Sequence, residues 1–327
     1  MTRGGNNLQK KKRSFWQWLK TYEGQKVLTT ILFLLVPVTC LILFTVIPAG
    51  NMVLFSFQER DRYGLDAKWV GLENYKTVFS NPDYFMTFKN SIYYLIGSFA
   101  QQALALLLAS ILCSKIKLRN FFKGVLFFPY MMNGVAVSLI FMRFFALGDG
   151  IVTQTGTVNT ILQQLGMDPV KFLSDPSIAN YCLVFISIWR YIGFDIVMYI
   201  GAIQSISSDI YEAADLDGAN GWQRFRYIVF PSIKPIISLQ LILAIKGAVS
   251  VFEIPYIITE GKFGTSTFVI KTHETGMVFQ KVGLASAMAV VLLIIIIIVT
   301  LIQKHFFRES DEDKPSKKKK AQNGEVA

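Results

Sequence analysis

Six apolar stretches, each about as long as a bilayer is thick, constrain this chain more than any other feature. A helix needs about 20 predominantly apolar residues to cross the roughly 30 Å hydrocarbon layer. The chain offers Leu28–Ile47, Ser91–Cys113, Gly124–Ala146, Tyr181–Ile206, Ile236–Ile258 and Leu284–Ile302. Lipid cannot satisfy exposed backbone N–H and C=O groups, so segments of this kind cross as helices. The sequence therefore predicts an all-α membrane protein with six transmembrane helices.

The net charge of +11 raises the question of a nucleic-acid partner, but basic and aromatic residues do not interleave as they do in RNA-binding modules. The basic residues instead gather in the tails and in alternate loops: Lys10 to Arg13 before the first stretch, Lys115, Lys117, Arg119 and Lys123 after the second, Arg224, Arg226 and Lys234 after the fourth, and Lys314 and Lys317 to Lys320 at the end. Cytoplasmic loops carry such an excess, so both termini are expected inside. The expected organisation is a basic tail (1–27), a first transmembrane helix (28–48), an outer loop (49–88), a five-helix transmembrane domain (89–303) and a second basic tail (304–327). A basic start before an apolar run also fits a secretory signal. However, this run exceeds the 7–15 residues of a signal core and no small-residue cleavage site follows, so retention is expected. Cys40, Cys113 and Cys182 all fall within spans, where thiols behave as small apolar groups, so no disulfide or metal framework is expected.

The chain has no G-x-x-x-x-G-K-[ST] phosphate cradle and no strand-linked G-x-G-x-x-G, and its two histidines, His273 and His305, stand far apart. No cofactor is expected to be bound by this chain, and an intramembrane enzyme is disfavoured. Energy for any transport must come from a gradient, from passive flow, or from a second protein.

The loop between the fourth and fifth stretches, 207–235, is too punctuated for a linker. Asp209 followed by Glu212 reads as a capping box, and Gly218 permits a left-handed turn. A second short helix then runs to Phe230, with Pro231 as its stop. Trp222, Phe225, Ile228 and Val229 recur at helical spacing beside Arg224 and Arg226. Spacing alone fits a protein-docking surface and a helix lying on lipid headgroups equally well.

Glu212-Ala213-Ala214, then Gly218 after three residues, then Ile228 and Pro231 resembles the EAA loop of permease subunits in bacterial binding-protein-dependent ABC importers. Val70–Tyr75, Phe128–Tyr130, Leu173–Pro176, Ser187–Trp189 and Gln204–Ile206 extend the resemblance to the carbohydrate branch, similar to the maltose and glycerol-phosphate permeases. The resemblance implies a type I ABC importer transmembrane domain in a bacterial plasma membrane. It implies a second permease, two cytoplasmic ATP-binding subunits, an external solute-binding protein and a sugar as cargo. It also implies that Glu212, Ala213, Ala214, Asp217, Gly218, Arg224 and Phe225 belong to the segment that docks the ATPase. Where that family often has a Gln before a Phe-Asp pair in the fifth span, this chain has Ser250 before Phe252-Glu253, with an unusual Lys246. The sugar class therefore carries over better than any particular sugar.

About ten residues at 1.5 Å each reach the middle of the layer. That depth brings Tyr130, Asn133 and Gly134 of the third span level with Arg190, Tyr191, Phe194 and Asp195 of the fourth and Lys246, Ser250 and Glu253 of the fifth. On the fifth span Lys246, Ser250 and Glu253 are spaced by four and three and so share a face. Ionisable groups so deep face a bundle interior or a water-filled path. Two readings stay open for these residues: a solute path, or structural pairing of Lys246 with Glu253 and of Arg190 with Asp195 or with the second permease, with the aromatics as packing and Gly134 as a close helix contact. A gradient-driven secondary transporter is the alternative function, but such a protein normally carries both halves of an inverted repeat, and no motif recurs here. A channel, the third reading, lacks any repeated selectivity sequence.

Overall fold

The computed structural model describes residues 21–306 apart from 62, 65, 66, 115 and 149–153. Most of the two basic tails lies outside the described residues. Helix α1 (Tyr22–Phe55) starts where the Thr21 hydroxyl accepts the Gly24 N–H (3.2 Å) and passes through a π turn at Ile42–Val46. It extends beyond the apolar stretch Leu28–Ile47 at both ends. Residues up to Phe55 form one packing unit, and Ser56 onward forms a second.

The second unit opens with a short antiparallel hairpin, β1 (Gln58–Glu59) on β2 (Lys68–Trp69), followed by α2 (Glu73–Ser80) and α3 (Pro82–Met86). Asn74 ties α2 to the hairpin by donating to the carbonyls of Ser56 (2.9 Å) and Gln58 (2.8 Å). The segment Val70–Tyr75 thus serves as a clasp in the region expected to be an outer loop.

Then come α4 (Phe88–Cys113), α5 (Arg119–Met131), α6 (Gly134–Phe144), α7 (Thr157–Gln164) and α8 (Ala179–Gln204). Before α8, the Asp175 carboxylate accepts the hydroxyl and N–H of Ser177, and these bonds hold it below the usual carboxylate range. Next are α9 (Ser208–Leu216), α10 (Gly221–Arg224), α11 (Lys234–Val249), α12 (Glu253–Thr259), α13 (Phe268–His273) and α14 (Val282–Phe306). Among the described residues, five helical segments are long and apolar enough to cross a membrane, and α5 with α6 makes a sixth if that pair is counted as one span.

The third span departs from the straight helix expected over Gly124–Ala146, because α5 and α6 meet at 95°. The backbone turns extended at Met132 (ψ 144°), and the Asn133 side chain accepts the N–H groups of Val135 (2.9 Å) and Ala136 (3.4 Å), starting a new helix. The fifth span is interrupted between Val249 and Glu253, where the Thr267 hydroxyl donates to the Val251 carbonyl (2.8 Å).

In lipid, helices gain little from burying apolar surface against each other, so close packing of small side chains carries the association. Ala105 and Ala109 on α4 are fully buried in a cluster with Ile196, Tyr199 and Ile203 of α8. Two further buried clusters complete the core. Val137 and Phe141 pack with Leu183 and Ile254, and Phe268 packs with Leu284 and Met288. His273 ends α13 with its ring edge-on to Tyr256, centroids 5.0 Å apart.

Candidate functional site: a polar cavity and a capped helix pair

A cavity of about 500 Å³ lies among α4, α8 and the interrupted fifth span. Of the path residues expected from depth, Tyr191, Phe194, Asp195, Ser250 and Glu253 line it. Tyr130 lies outside the lining, with its ring packed against Phe194 (5.0 Å) and Tyr191 (6.4 Å).

The expected ion pairs are replaced by another. Arg190 bonds Glu253 at 2.5 Å and donates to the Tyr191 hydroxyl at 3.0 Å. Asp195 instead accepts the side-chain amides of Gln101 (2.6 Å) and Gln240 (2.8 Å), joining α4, α8 and α11. Lys246 pairs with neither carboxylate. It lines a shallow crevice against Ile296, Val299 and Thr300 of α14, because the helix breaks after Val249 and the phase that would align it with Glu253 is lost.

Asn133 acts as the cap of α6, and Gly134 as a point of close approach. A methyl group on Gly134 would collide with the Glu253 carboxylate and the Arg190 guanidinium, so only glycine lets the pair sit against the first turn of α6. There the helix dipole favours the carboxylate by about 0.3–1 kcal/mol.

The sequence reading missed the contribution of α4. Tyr94, Ser98, Gln101 and Gln102 line the cavity, and their spacing is a helical stripe that the search for ionisable groups passed over. The Gln102 carbonyl accepts the Tyr199 hydroxyl (2.6 Å), while the Tyr94 hydroxyl and the Gln240 Oε1 are buried without a partner. Among the described residues, no group of three or more metal-ligating side chains converges.

The loop 207–235 forms a helical pair. Ser207, rather than Asp209, caps α9, accepting the Asp209 N–H (3.4 Å). Gly218, at φ +71°, ends α9 with N–H bonds from Gly218 to Asp215 (3.2 Å) and from Ala219 to Ala214 (2.9 Å), a paired closure of the last turn. The capping box belongs to α10, where Asn220 and Gln223 exchange side-chain bonds (2.8 and 2.9 Å).

Past α10 the chain continues through a π turn at Phe225–Val229 to Ser232, so Pro231 lies inside this helical run and does not end it. Arg224 locks the two helices by pairing with Asp215 and donating to the Ala219 carbonyl (2.9 Å). Phe225 and Val229 turn inward to the α4–α8 cluster and Ala214 is buried, while Leu216, Trp222 and Tyr227 are 90%, 68% and 73% exposed. Burial raises the Tyr211 hydroxyl above its ordinary pKa, with Cys113 adding to the shift, so its ring packs inward uncharged. Glu212, Ala213 and Asp217 lie on the exposed surface.

Comparisons with known proteins agree with this geometry. The profile described as "Binding-protein-dependent transport system inner membrane component" matches residues 84–310. The chain is 33% identical over 265 residues to the probable ABC transporter permease protein YurN of Bacillus subtilis (strain 168), covering 79% of this chain and 88% of that protein. It is 31% identical to the arabinooligosaccharides transport system permease protein AraP of the same organism, covering 76% and 79%. A solved bacterial ABC transporter that imports the acidic polysaccharide alginate contains a chain of the same fold, with TM-score 0.78 and 22% identity, covering 89% of this chain and 98% of that one.

Proposed function

Because the chain belongs to the binding-protein-dependent transport system inner membrane component family, we propose that it is one permease subunit of an ATP-driven carbohydrate importer in a bacterial plasma membrane. The cavity bounded by Tyr191, Asp195 and Glu253 is the solute path. A second permease completes it, and a solute-binding protein delivers cargo from outside. The observation that carries the coupling part is the α9–α10 pair: capped at each helix start, locked by Arg224 and Asp215, and yet presenting Leu216, Trp222 and Tyr227 outward. A rigid body with an unpartnered apolar surface suits a force-bearing contact, and here the partner is the ATPase subunit. Nucleotide is held by that partner. The names of relatives that carry arabinooligosaccharides and lactose support a sugar as cargo.

Affinity purification of the tagged chain from its native membranes tests this. Recovery of an ATP-binding subunit and a second multi-span permease, with uptake that follows ATP, is expected. A chain recovered alone, with uptake abolished by collapsing the ion gradient while ATP is intact, would overturn it.

A further inference from the structure

The cavity's charge inventory is lopsided. Its walls hold two carboxylates, Asp195 and Glu253, and, among the described residues, no Lys, Arg or His. The adjacent cation, Arg190, is committed to Glu253 and Tyr191, and Lys246 lines the separate crevice against α14. Gln101, in the wall, and Gln240, buried outside the lining, each donate one amide N–H to Asp195. The remaining polar groups are mixed: the carboxylate oxygens accept, the hydroxyls of Ser98, Ser250 and the unpartnered Tyr94 both donate and accept, and the Gln102 amide donates, so the asymmetry of the cavity lies in its charge.

We propose that this cavity selects a neutral or positively charged polyhydroxylated solute and excludes anionic sugars such as uronates and sugar phosphates. The proposal rests on the reading of the cavity as the solute path. A neutral sugar presents a ring of O–H donors to these acceptors, and its C–H faces fit against Tyr191, Phe194 and Phe252. An amino sugar adds an ammonium that the carboxylates and the same aromatic faces attract. A uronate offers only further acceptors at its charged end and sets a second uncompensated negative charge near that of Asp195, where the low dielectric magnifies repulsion. The Arg190 guanidinium does not offset this, since it balances Glu253 alone.

The test reads the cavity's electrostatics directly, whichever sugar is carried. Cys40, Cys113 and Cys182 are replaced by Ser, Ser250→Cys is introduced, and the assembled importer is purified in non-ionic detergent. The thiol is reacted with methanethiosulfonates bearing a trimethylammonium, a sulfonate or a neutral group, each rate being normalised to that of a free thiol. A shift in the thiol's own pKa slows all three equally, so the ratios report local potential. The cation-to-anion ratio is expected to rise at least about tenfold over the free thiol. Adding Glu253→Gln, which strips Arg190 of its partner, should lower the ratio several-fold. A ratio near one, or a preference for the anion, in Ser250→Cys overturns the proposal. Ser98→Cys, on the opposite wall, gives the same readout if Ser250→Cys fails to assemble. The path reading is judged separately by the neutral reagent. Its rate in sealed proteoliposomes should change several-fold between the nucleotide-free state and ATP plus vanadate, and an unchanged rate defeats the path reading whatever the charge ratio.

Discussion

Arg190 and Glu253 couple three elements through one contact, since the pair bridges α8 to the start of α12 and lies against Gly134 of α6. Removing either partner leaves a charge unpaired in a largely apolar setting, whereas removing both does not. Arg190→Met and Glu253→Gln should each destabilise the detergent-solubilised subunit. The double variant should recover part of the loss, with a coupling of roughly 1–3 kcal/mol in a thermal-unfolding cycle. Additive losses would mean that the pair contributes nothing as a pair. At this scale the sequence was half legible. Depth along each span correctly brought Tyr191, Ser250 and Glu253 together, because helical rise is uniform until a helix breaks. It gave the wrong partners for Arg190 and Lys246, because pairing depends on rotation about each helix axis and on the interruption after Val249, which hydropathy does not register. Searching for charge also hid the Tyr94–Gln102 stripe, whose amides and hydroxyls carry no charge.

Elements announce themselves in sequence by their ends, and here the ends were more informative than the apolar middles. Asn133 after Pro129 is a helix start signal inside an apolar stretch, and it turns the third span through 95°. A count of hydrophobic residues reads straight across it. Gly218 was legible for the opposite reason: a glycine just past a short helical run suits the left-handed backbone that closes α9, and φ is +71°. No atom lies within 4 Å of a side chain added there, so the cost of substitution is conformational, about 1–2 kcal/mol. Gly218→Val should insert normally and yet loosen the angle between α9 and α10. Uptake should fall by roughly tenfold while the ATPase dissociates or hydrolyses ATP without transport. Normal uptake with the ATPase bound would remove this loop from coupling. The cap positions were misread by a few residues, with Ser207 in place of Asp209 and the reciprocal box at Asn220 and Gln223. Several neighbouring polar side chains can accept the same N–H, and only the backbone path selects among them.

At the level of the whole molecule, the asymmetric distribution of lysine and arginine predicts that both ends of the chain face the cytoplasm. Peptide tags after Met1 and Ala327 should stay inaccessible to antibody in intact cells and become accessible on permeabilisation. Exposure of either tag without permeabilisation reverses the topology and places the α9–α10 pair on the wrong side for an ATPase. The count of spans was legible because lipid imposes one length on every crossing. How the spans assemble was not, because packing in lipid is decided by small residues such as Ala105 and Ala109, which hydropathy scores like any others. The outward-facing Leu216, Trp222 and Tyr227 carry a consequence for the life of the subunit in the cell. Under the proposed function, a chain made in excess of its ATPase displays in water the surface that quality-control proteases take as a mark of incompleteness. Its half-life in a pulse-chase experiment should therefore shorten several-fold when the ATPase is deleted, and recover in a triple variant with polar residues at these three positions. Subunit dosage would then be set by degradation of the orphan, with the docking surface acting as its own timer.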